Sequence, residues 1–352
     1  MKFSICIPNY NYEKFLGRTL DSALHQANVD LEVLLADNVS TDGSVALVKA
    51  RAESDARLRF TVNPCNVGFA GNLDRAARLA TGDMMLMLSS DDLMRPFALE
   101  TYQTLLSQVD ASRAVISATA DTVDPQDATI GSLPLDKELW TPADKVSGLL
   151  PGVDVYRVEG SELLRRCLAT MKNPFNFLAT AYPRAVYERV AGYGGSRLIN
   201  PDKWFNWKLL GAGTVAYWID KPLFAYRVHP SNQNSQQAAS GALKYLVDEY
   251  ASVIEMDGKQ LEQLGLSRMD LEKSFVERDI ARHGLAELAR GRSLKARRIL
   301  GFGAAVYPAH AVRNQKLWAL AGLCALGRVG QRVAARLYQR HRTEQSLSAR
   351  AP

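Results

Sequence analysis

The chain lacks most of the motifs that mark an enzyme class directly. Its four cysteines, Cys6, Cys65, Cys167 and Cys324, are scattered with no CxxC pair, so neither a disulfide framework nor a zinc site is indicated. No GxxxxGK(S/T) segment occurs, which excludes a P-loop enzyme. No GxGxxG follows the first apolar segment, which argues against a dinucleotide fold, and no GxSxG elbow is present. Basic–aromatic modules and finger spacings are missing, so nucleic acid is not expected as a partner. No stretch approaches the roughly 18 to 20 apolar residues of a membrane span. The best candidate, Leu317–Leu326, is half that length and contains Gly322. Met1-Lys2 leads into an apolar segment, Phe3–Ile7, that Pro8 ends, too short for a secretion signal. A reduced, cytoplasmic protein is expected.

What is there is a soluble composition, 47% hydrophobic and 23% charged over 352 residues, enough for one large domain or two ordinary ones. The net charge of +6 is unevenly spread. From Arg282 onward there are 14 Lys/Arg against two acids, Glu287 and Glu344, so this part carries +12 and residues 1–281 carry −6. A basic tail of this kind calls for an anionic partner. Arg328, Arg332, Arg336 and Arg340 recur every four residues as a cationic stripe, with Val329, Val333 and Leu337 on an adjacent face and Leu317, Trp318, Leu320 and Leu323 upstream. The pattern is that of a basic amphipathic segment on an anionic membrane surface, or of a solvated face on a packed helix.

The first hundred residues alternate between strand and helix patterns. Strands are expected at Phe3–Ile7, Leu31–Ala36, Leu58–Val62 and Met84–Leu88, with helices at Lys14–Gln26, Ser44–Glu53 and Ala70–Ala80 between them. That order predicts a parallel sheet with right-handed crossovers. A helix over Pro96–Val109 and a strand over Ala114–Thr119 follow. Periodicity fades from Asp121 to Gly160, where a long loop is expected. Further on, helices are expected at Ser161–Thr170, Ala185–Val190 and Lys203–Leu210, and strands at Phe177–Tyr182, Val215–Ile219 and Leu223–Tyr226. Beyond Ser240 the pattern is helical throughout.

Met84–Leu88 reads as a strand buried on both faces, and it runs into Ser89-Ser90-Asp91-Asp92. Carboxylates past the end of such a strand stand where open α/β sheets place ligands. Two adjacent acids repel unless a cation or hydrogen bonds offset them. The pair suits Mg2+ or Mn2+ completed by phosphate oxygens, or one member caps the next helix. In a parallel sheet the turns Pro8–Tyr12, Asp37–Ser44 and Ser90–Asp92 share one edge. They supply aromatic faces, a buried-edge acid and a metal-capable pair, a set that suits a nucleotide diphosphate.

Four segments, IPNYNYEKFLGRTLDSALHQ (7–26), LEVLLADNVSTDGS (31–44), NVGFAGNLDRAARLATGDMMLMLSSDD (66–92) and PLFAYRVHPSN (222–232), together resemble the family 2 glycosyltransferases in order and spacing. The resemblance covers roughly residues 3–235. It implies an α/β GT-A fold, a Rossmann-like, mostly parallel sheet flanked by helices. The catalytic domain would span residues 1–238, with a donor-binding half to about 110 and an acceptor half over 111–238. A basic helical region, 239–352, would follow. It also implies an inverting transfer from a nucleotide-diphospho-sugar to a saccharide or lipid-linked saccharide, with Mn2+ or Mg2+ on the diphosphate. Pro8 and Tyr10 fall where the family flanks the nucleotide, Asp37 where it contacts the base, Asp91 toward the ribose or sugar, and Asp92 at the metal. Ser89 and Asn38 stand where many members carry additional acids. An inverting transfer needs a general base, and the resemblance assigns it to Asp202, at a helix N-terminus that favours its ionised form; the alternative is a capping role.

At the end of the strand Leu223–Tyr226, Arg227 suits a leaving diphosphate, and a neutral His229 suits a third metal ligand, or serves as a structural histidine. Asn66, Gly68, Asn72 and Asp74 lead into the third helix, and Asn72 and Asp74 read as helix-start residues. The competing function is a catalytically idle sugar-nucleotide-binding or assembly protein on the same fold. A sugar nucleotidyltransferase fits poorly, because the first loop has no glycine before Gly17.

Overall fold

The computed structural model describes residues 1–194, 198, 201–232 and 242–350. Contacts divide the chain into two units, one of Met1–Leu164 and Asn173–Asn232, the other of Arg165–Lys172 and Gln233–Pro352.

The first unit is built on one sheet of 11 strands. Its amino-terminal half alternates β1 (Lys2–Asn9), α1 (Glu13–Leu24), β2 (Asp30–Asp37), α2 (Ser44–Ser54), β3 (Leu58–Val62), α3 (Gly68–Ala77) and β4 (Met84–Met87). These strands lie in the order β3-β2-β1-β4 and all pair in parallel. Helices cover a parallel sheet, so its central strands read as unbroken apolar runs. Met84, Met85, Leu86 and Met87 are accordingly all buried. The apolar side of α1, with Leu16, Leu20 and Leu24, packs into the same core, each such side chain contributing roughly 1.5–3 kcal/mol by burial.

The remainder of the first unit extends the sheet. The short β5 (Leu93–Met94) and α4 (Ala98–Leu106) precede β6 (Ala114–Val123) and β7 (Thr129–Leu133). Next come β8 (Lys145–Val146), β9 (Val155–Glu159), α5 (Gly160–Thr170, whose residues from Arg165 belong to the second unit), β10 (Ala181–Pro183), α6 (Arg184–Arg189), α7 (Asp202–Gly211) and β11 (Val215–Arg227). β10 is antiparallel to both β4 and β6, so β6 and β11 point the same way as β1 and β4.

Three expectations change. Phe177–Tyr182 is not one strand but a 3-10 turn (Phe177–Ala179) followed by β10 from Ala181. The stretch 121–160 is not one loop: it holds the end of β6, then β7, β8 and β9, whose exposed or edge positions leave little alternation in the sequence. Val215–Ile219 and Leu223–Tyr226 are one strand whose register against β6 shifts between Ile219 and Phe224. The residues between, Asp220-Lys221-Pro222, are exposed and include a proline, so the sequence shows two runs where the fold has one bulged strand.

In the second unit the described residues are helical: α8 (Ala242–Glu255), α9 (Gly258–Gln263), α10 (Arg268–Ser274), a π-helical turn (Phe275–Ile280), α11 (Ala281–Ala289), α12 (Ser293–Val306), α13 (Pro308–Arg313), α14 (Gln315–Ala325) and α15 (Gly327–Arg350). A small core of Leu288, Ala296, Leu320, Cys324 and Ala334 joins α11, α12, α14 and α15. No described helix is long and apolar enough to cross a membrane.

Candidate active site

The register brings the three expected turns together. Asn9, the last residue of β1, pairs with Asp37, the last of β2, and Cys6 pairs with Met87 of β4. The loops after β1, β2 and β4 therefore leave one sheet edge, as the alternation of elements requires.

The first two loops are knitted together by side chains. Asp37 is fully buried. Its Oδ1 accepts from the Ser40 amide at 2.8 Å, and its Oδ2 accepts from Asn9 Nδ2 at 2.8 Å and Ser40 Oγ at 2.6 Å. Asn11 Oδ1 accepts from the Thr41 amide at 2.7 Å. The helix starts are cross-capped: Asp42 accepts from the amides of Glu13 and Ser44, and Glu13 accepts from the Gly43 amide at 2.9 Å. A Cβ on Gly43 would meet the Glu13 carboxylate and push that side chain aside. Val39 takes a left-handed φ of +66°, a strained conformation for a β-branched residue. Tyr10 stands out of this frame, 46% exposed, with its ring available for stacking. Pro8 is buried in β1, and its carbonyl accepts from Ser90 Oγ at 2.8 Å, which ties the first loop to the acidic turn.

The acidic turn is held from two sides. Thr19 Oγ1 lies 2.9 Å from the carbonyls of Ser90 and Asp92. From β11, the Arg227 amide donates to Asp92 Oδ1 at 2.9 Å and Arg227 Nε donates to the Asp91 carbonyl at 2.7 Å. His229 Nε2 lies 2.9 Å from Asp91 Oδ2, its Nδ1 lies 2.9 Å from Ser231 Oγ, and its ring packs on Phe15 at 4.6 Å between centroids. Asp91, Asp92 and His229 are all buried. Burial, with the Asp91 carboxylate beside it, pushes the pKa of Asp92 well above the usual carboxylate range. Burial and the same two acids also raise the Tyr12 phenol. The pair thus carries a charge conflict that a divalent cation relieves.

Several expected roles meet a different geometry. Arg227 is fully buried with its guanidinium turned inward: it bonds the carbonyls of Asp91 and Asp124 and forms an ion pair with Asp127, over the face of Phe15. Asp127 also pairs with Arg18 at 2.6 Å. Arg227 therefore braces the acidic turn, while its buried Nη2 has no hydrogen-bond partner among the described residues. His229 hydrogen-bonds to Asp91, and both of its ring nitrogens are engaged. Among the described residues no group of three or more His, Cys, Asp or Glu side chains is arranged to hold a metal. The donor set that remains is the hard-oxygen pair Asp91 and Asp92, which fits Mg2+ or Mn2+ when phosphate oxygens and water complete the shell.

Asp202 opens α7, and its Oδ2 accepts from Asn173 Nδ2 at 2.9 Å; Asn173 in turn accepts from Asn206 Nδ2 at 2.8 Å.

The sequence reading missed an asparagine lattice under the donor loops. Asn38 accepts from Asn63 Nδ2 and the Val67 amide and donates to Asn66 at 2.9 Å. Asn72 accepts from Asn63 and donates to the Ala36 carbonyl at 2.9 Å. Asn72 is thus a buried tie between α3 and the strand ends, not a helix-start residue. Asp74 accepts from Tyr187 Oη at 2.7 Å and the Tyr193 amide, joining α3 to the region around α6. The signal was the density of asparagine between residues 63 and 72, at odds with a surface helix start.

An α/β sheet with three turns gathered at one edge and a carboxylate pair after its fourth strand has the architecture of the GT-A fold. Residues 4–140 match the family described as Glycosyl transferase family 2. An uncharacterized glycosyltransferase of Nostoc, alr2836, is 26% identical over 295 residues, covering 79% of this chain and 81% of that one. Among solved structures, TarS 1–349 of S. aureus in complex with UDP-GlcNAc superposes with a TM-score of 0.63 at 17% identity, covering 98% of this chain and 93% of that one. The mannosyltransferase PcManGT of Pyrobaculum calidifontis, in complex with GDP-Man and Mn2+, superposes with a TM-score of 0.52 at 17% identity over 96% and 84% of the two chains. At such identities these two likenesses speak to fold.

Proposed function

We propose that this glycosyltransferase is an inverting enzyme that moves a sugar from a nucleotide-diphospho-sugar to a hydroxyl of a glycan or glycolipid in surface polysaccharide synthesis. The observation that carries the reading is the buried Asp91–Asp92 pair at the sheet edge shared by Asp37 and Tyr10. The donor's base packs on Tyr10 near the loop that Asp37 fixes; Asp37 acts mainly by shaping that loop, since its carboxylate already accepts from Asn9 and Ser40. Pro8 holds the first loop against the Ser90–Asp92 turn. Asp91, steadied by His229, faces the ribose or sugar, and Asp92 is the principal metal-facing acid. A bound Mn2+ or Mg2+ supplies charge stabilisation to the departing diphosphate; TarS and PcManGT were solved with UDP-GlcNAc and GDP-Man, which motivates the donor class.

Asp202 is the proposed general base. It takes the proton of the acceptor hydroxyl while that oxygen attacks the anomeric carbon and the bond to the diphosphate oxygen breaks, giving inversion. Its bond to the Asn173 amide fixes the carboxylate in place. A thermal-shift screen of nucleotides and nucleotide sugars, with and without Mn2+, tests the donor half of this reading. A ligand present at about 100 times its Kd stabilises the protein by about 2.7 kcal/mol. One nucleotide class should raise the melting temperature, and more so with Mn2+. A flat response across the panel counts against donor binding. Binding without turnover favours the idle sugar-nucleotide-binding reading.

A further inference from the structure

We propose that the outer sides of α14 and α15 form a peripheral membrane-binding face selective for anionic lipid. Between residues 282 and 340 the chain holds 12 Lys/Arg and a single acid, Glu287. Glu287 is buried and is spent on Arg290 and Arg292. Acidic side chains are thus missing from the surface of this whole stretch.

Along α15 the buried positions are Gly330 and Ala334, which turns the opposite side to solvent. That side carries Arg328, Arg332, Arg336 and Arg340 as one row at four-residue steps, and the exposed Val329, Val333 and Leu337 as a parallel row one position on. Among the described residues none of the four arginines has an ion-pair partner. On α14, Trp318 is 63% exposed, and Ala319, Gly322 and Leu326 at its C-terminal end are also exposed. The Trp318 indole N–H donates to the Val312 carbonyl at 2.8 Å, which fixes the ring in place. The two helices are locked together, because a Cβ on Gly330 would overlap the Leu323 carbonyl. The exposed apolar side chains are therefore presented by a rigid frame.

Guanidinium groups beside a row of apolar side chains and an indole match a lipid surface, with phosphates at one level and acyl chains just beneath. A nucleic acid would use the arginines and leave the apolar row without a function. An acidic protein would need aliphatic surface spaced to the same two rows.

The test is flotation of the full chain with vesicles of phosphatidylcholine alone and of phosphatidylglycerol and phosphatidylcholine in equal parts. The expected result is binding to the anionic vesicles only, reduced by salt, with a blue shift of emission that Trp318→Phe removes. Replacing one of the four arginines by Gln should weaken partitioning about fivefold. The double variant Arg332→Glu/Arg336→Glu should stay in the bottom fraction, and Val329→Ser/Val333→Ser should bind less at every lipid concentration. All these positions are exposed, and unchanged circular dichroism and melting will separate lost binding from lost folding. Failure of the wild type to float, equal binding to neutral vesicles, or full binding by the arginine double variant each overturns the proposal. So does duplex DNA binding that matches the lipid affinity and ignores the valine substitutions.

Discussion

His229 Nε2 and Asp91 Oδ2 meet at 2.9 Å across 138 residues of sequence. The contact links the loop after β11 to the acidic turn after β4, and it directs one carboxylate of the pair toward an imidazole while the other is held by the Arg227 amide. The pair is thereby split, so the two oxygens closest in sequence are not equivalent. His229→Ala should cost roughly 10–100-fold in apparent Mn2+-dependent donor affinity, the range for partners that orient metal-facing groups. Calorimetric titration of the nucleotide found by the thermal-shift screen checks this. Affinity equal to wild type would show that the imidazole does not steady Asp91.

Asp127 is the charge partner of the fully buried Arg227. Removing one member of a buried ion pair strands the other charge, which costs about 3–5 kcal/mol. Asp127 is partly exposed and also pairs with Arg18, so about 2 kcal/mol is expected for Asp127→Ala, with less for Asp127→Asn. Arg227→Met combined with Asp127→Ala should recover part of the loss. Urea unfolding of the four proteins reads the cycle, and additive losses would contradict a pairwise bond.

The left-handed Val39 offers a stabilising substitution. A non-glycine L residue pays roughly 1–2 kcal/mol in this region, and asparagine pays least. Val39→Asn should raise stability by about 1 kcal/mol. If the strain also shapes the nucleotide loop, the same variant weakens donor binding. A melting temperature at or below that of wild type would show that packing of the valine outweighs its backbone cost.

The parallel half of the fold was readable because its strands are buried on both faces and its helices bury one side, so both periods appear in the residues. The C-terminal helices were readable for the same reason. What stayed hidden is long-range pairing. Nothing near Arg227 announces that its guanidinium meets Asp127, and a charged residue at a strand end reads equally as a ligand contact or a brace. The β7–β9 region was opaque because short edge strands carry little alternation. Asn72 was misread because a buried amide looks like a helix cap until its partner strands are in view.

Glu32 gives a pH prediction. Its carboxylate is buried, which by itself raises its pKa, but hydrogen bonds from Ser4, Thr81 and Lys2 outweigh this and leave it lowered to about 2. A lowered carboxylate contributes stability above its unfolded value of about 4.5, and that contribution drains away as pH falls toward 2. After allowance for its solvent-facing partners, roughly 2 kcal/mol should be lost across that window. Glu32→Gln should be less stable than wild type at pH 7 and should show a shallower decline below pH 4.5. Parallel acid profiles for the two proteins would contradict this.

Base-assisted sugar transfer by Asp202 is tested by the turnover of the Asp202→Asn variant. The assay follows release of nucleoside diphosphate from the donor identified in the screen, with Mn2+ and a glycan acceptor, for wild type and variant side by side. Donor binding within a few-fold of wild type and a turnover rate reduced by roughly 100-fold or more are expected for the variant. A variant that turns over at the wild-type rate contradicts the claim.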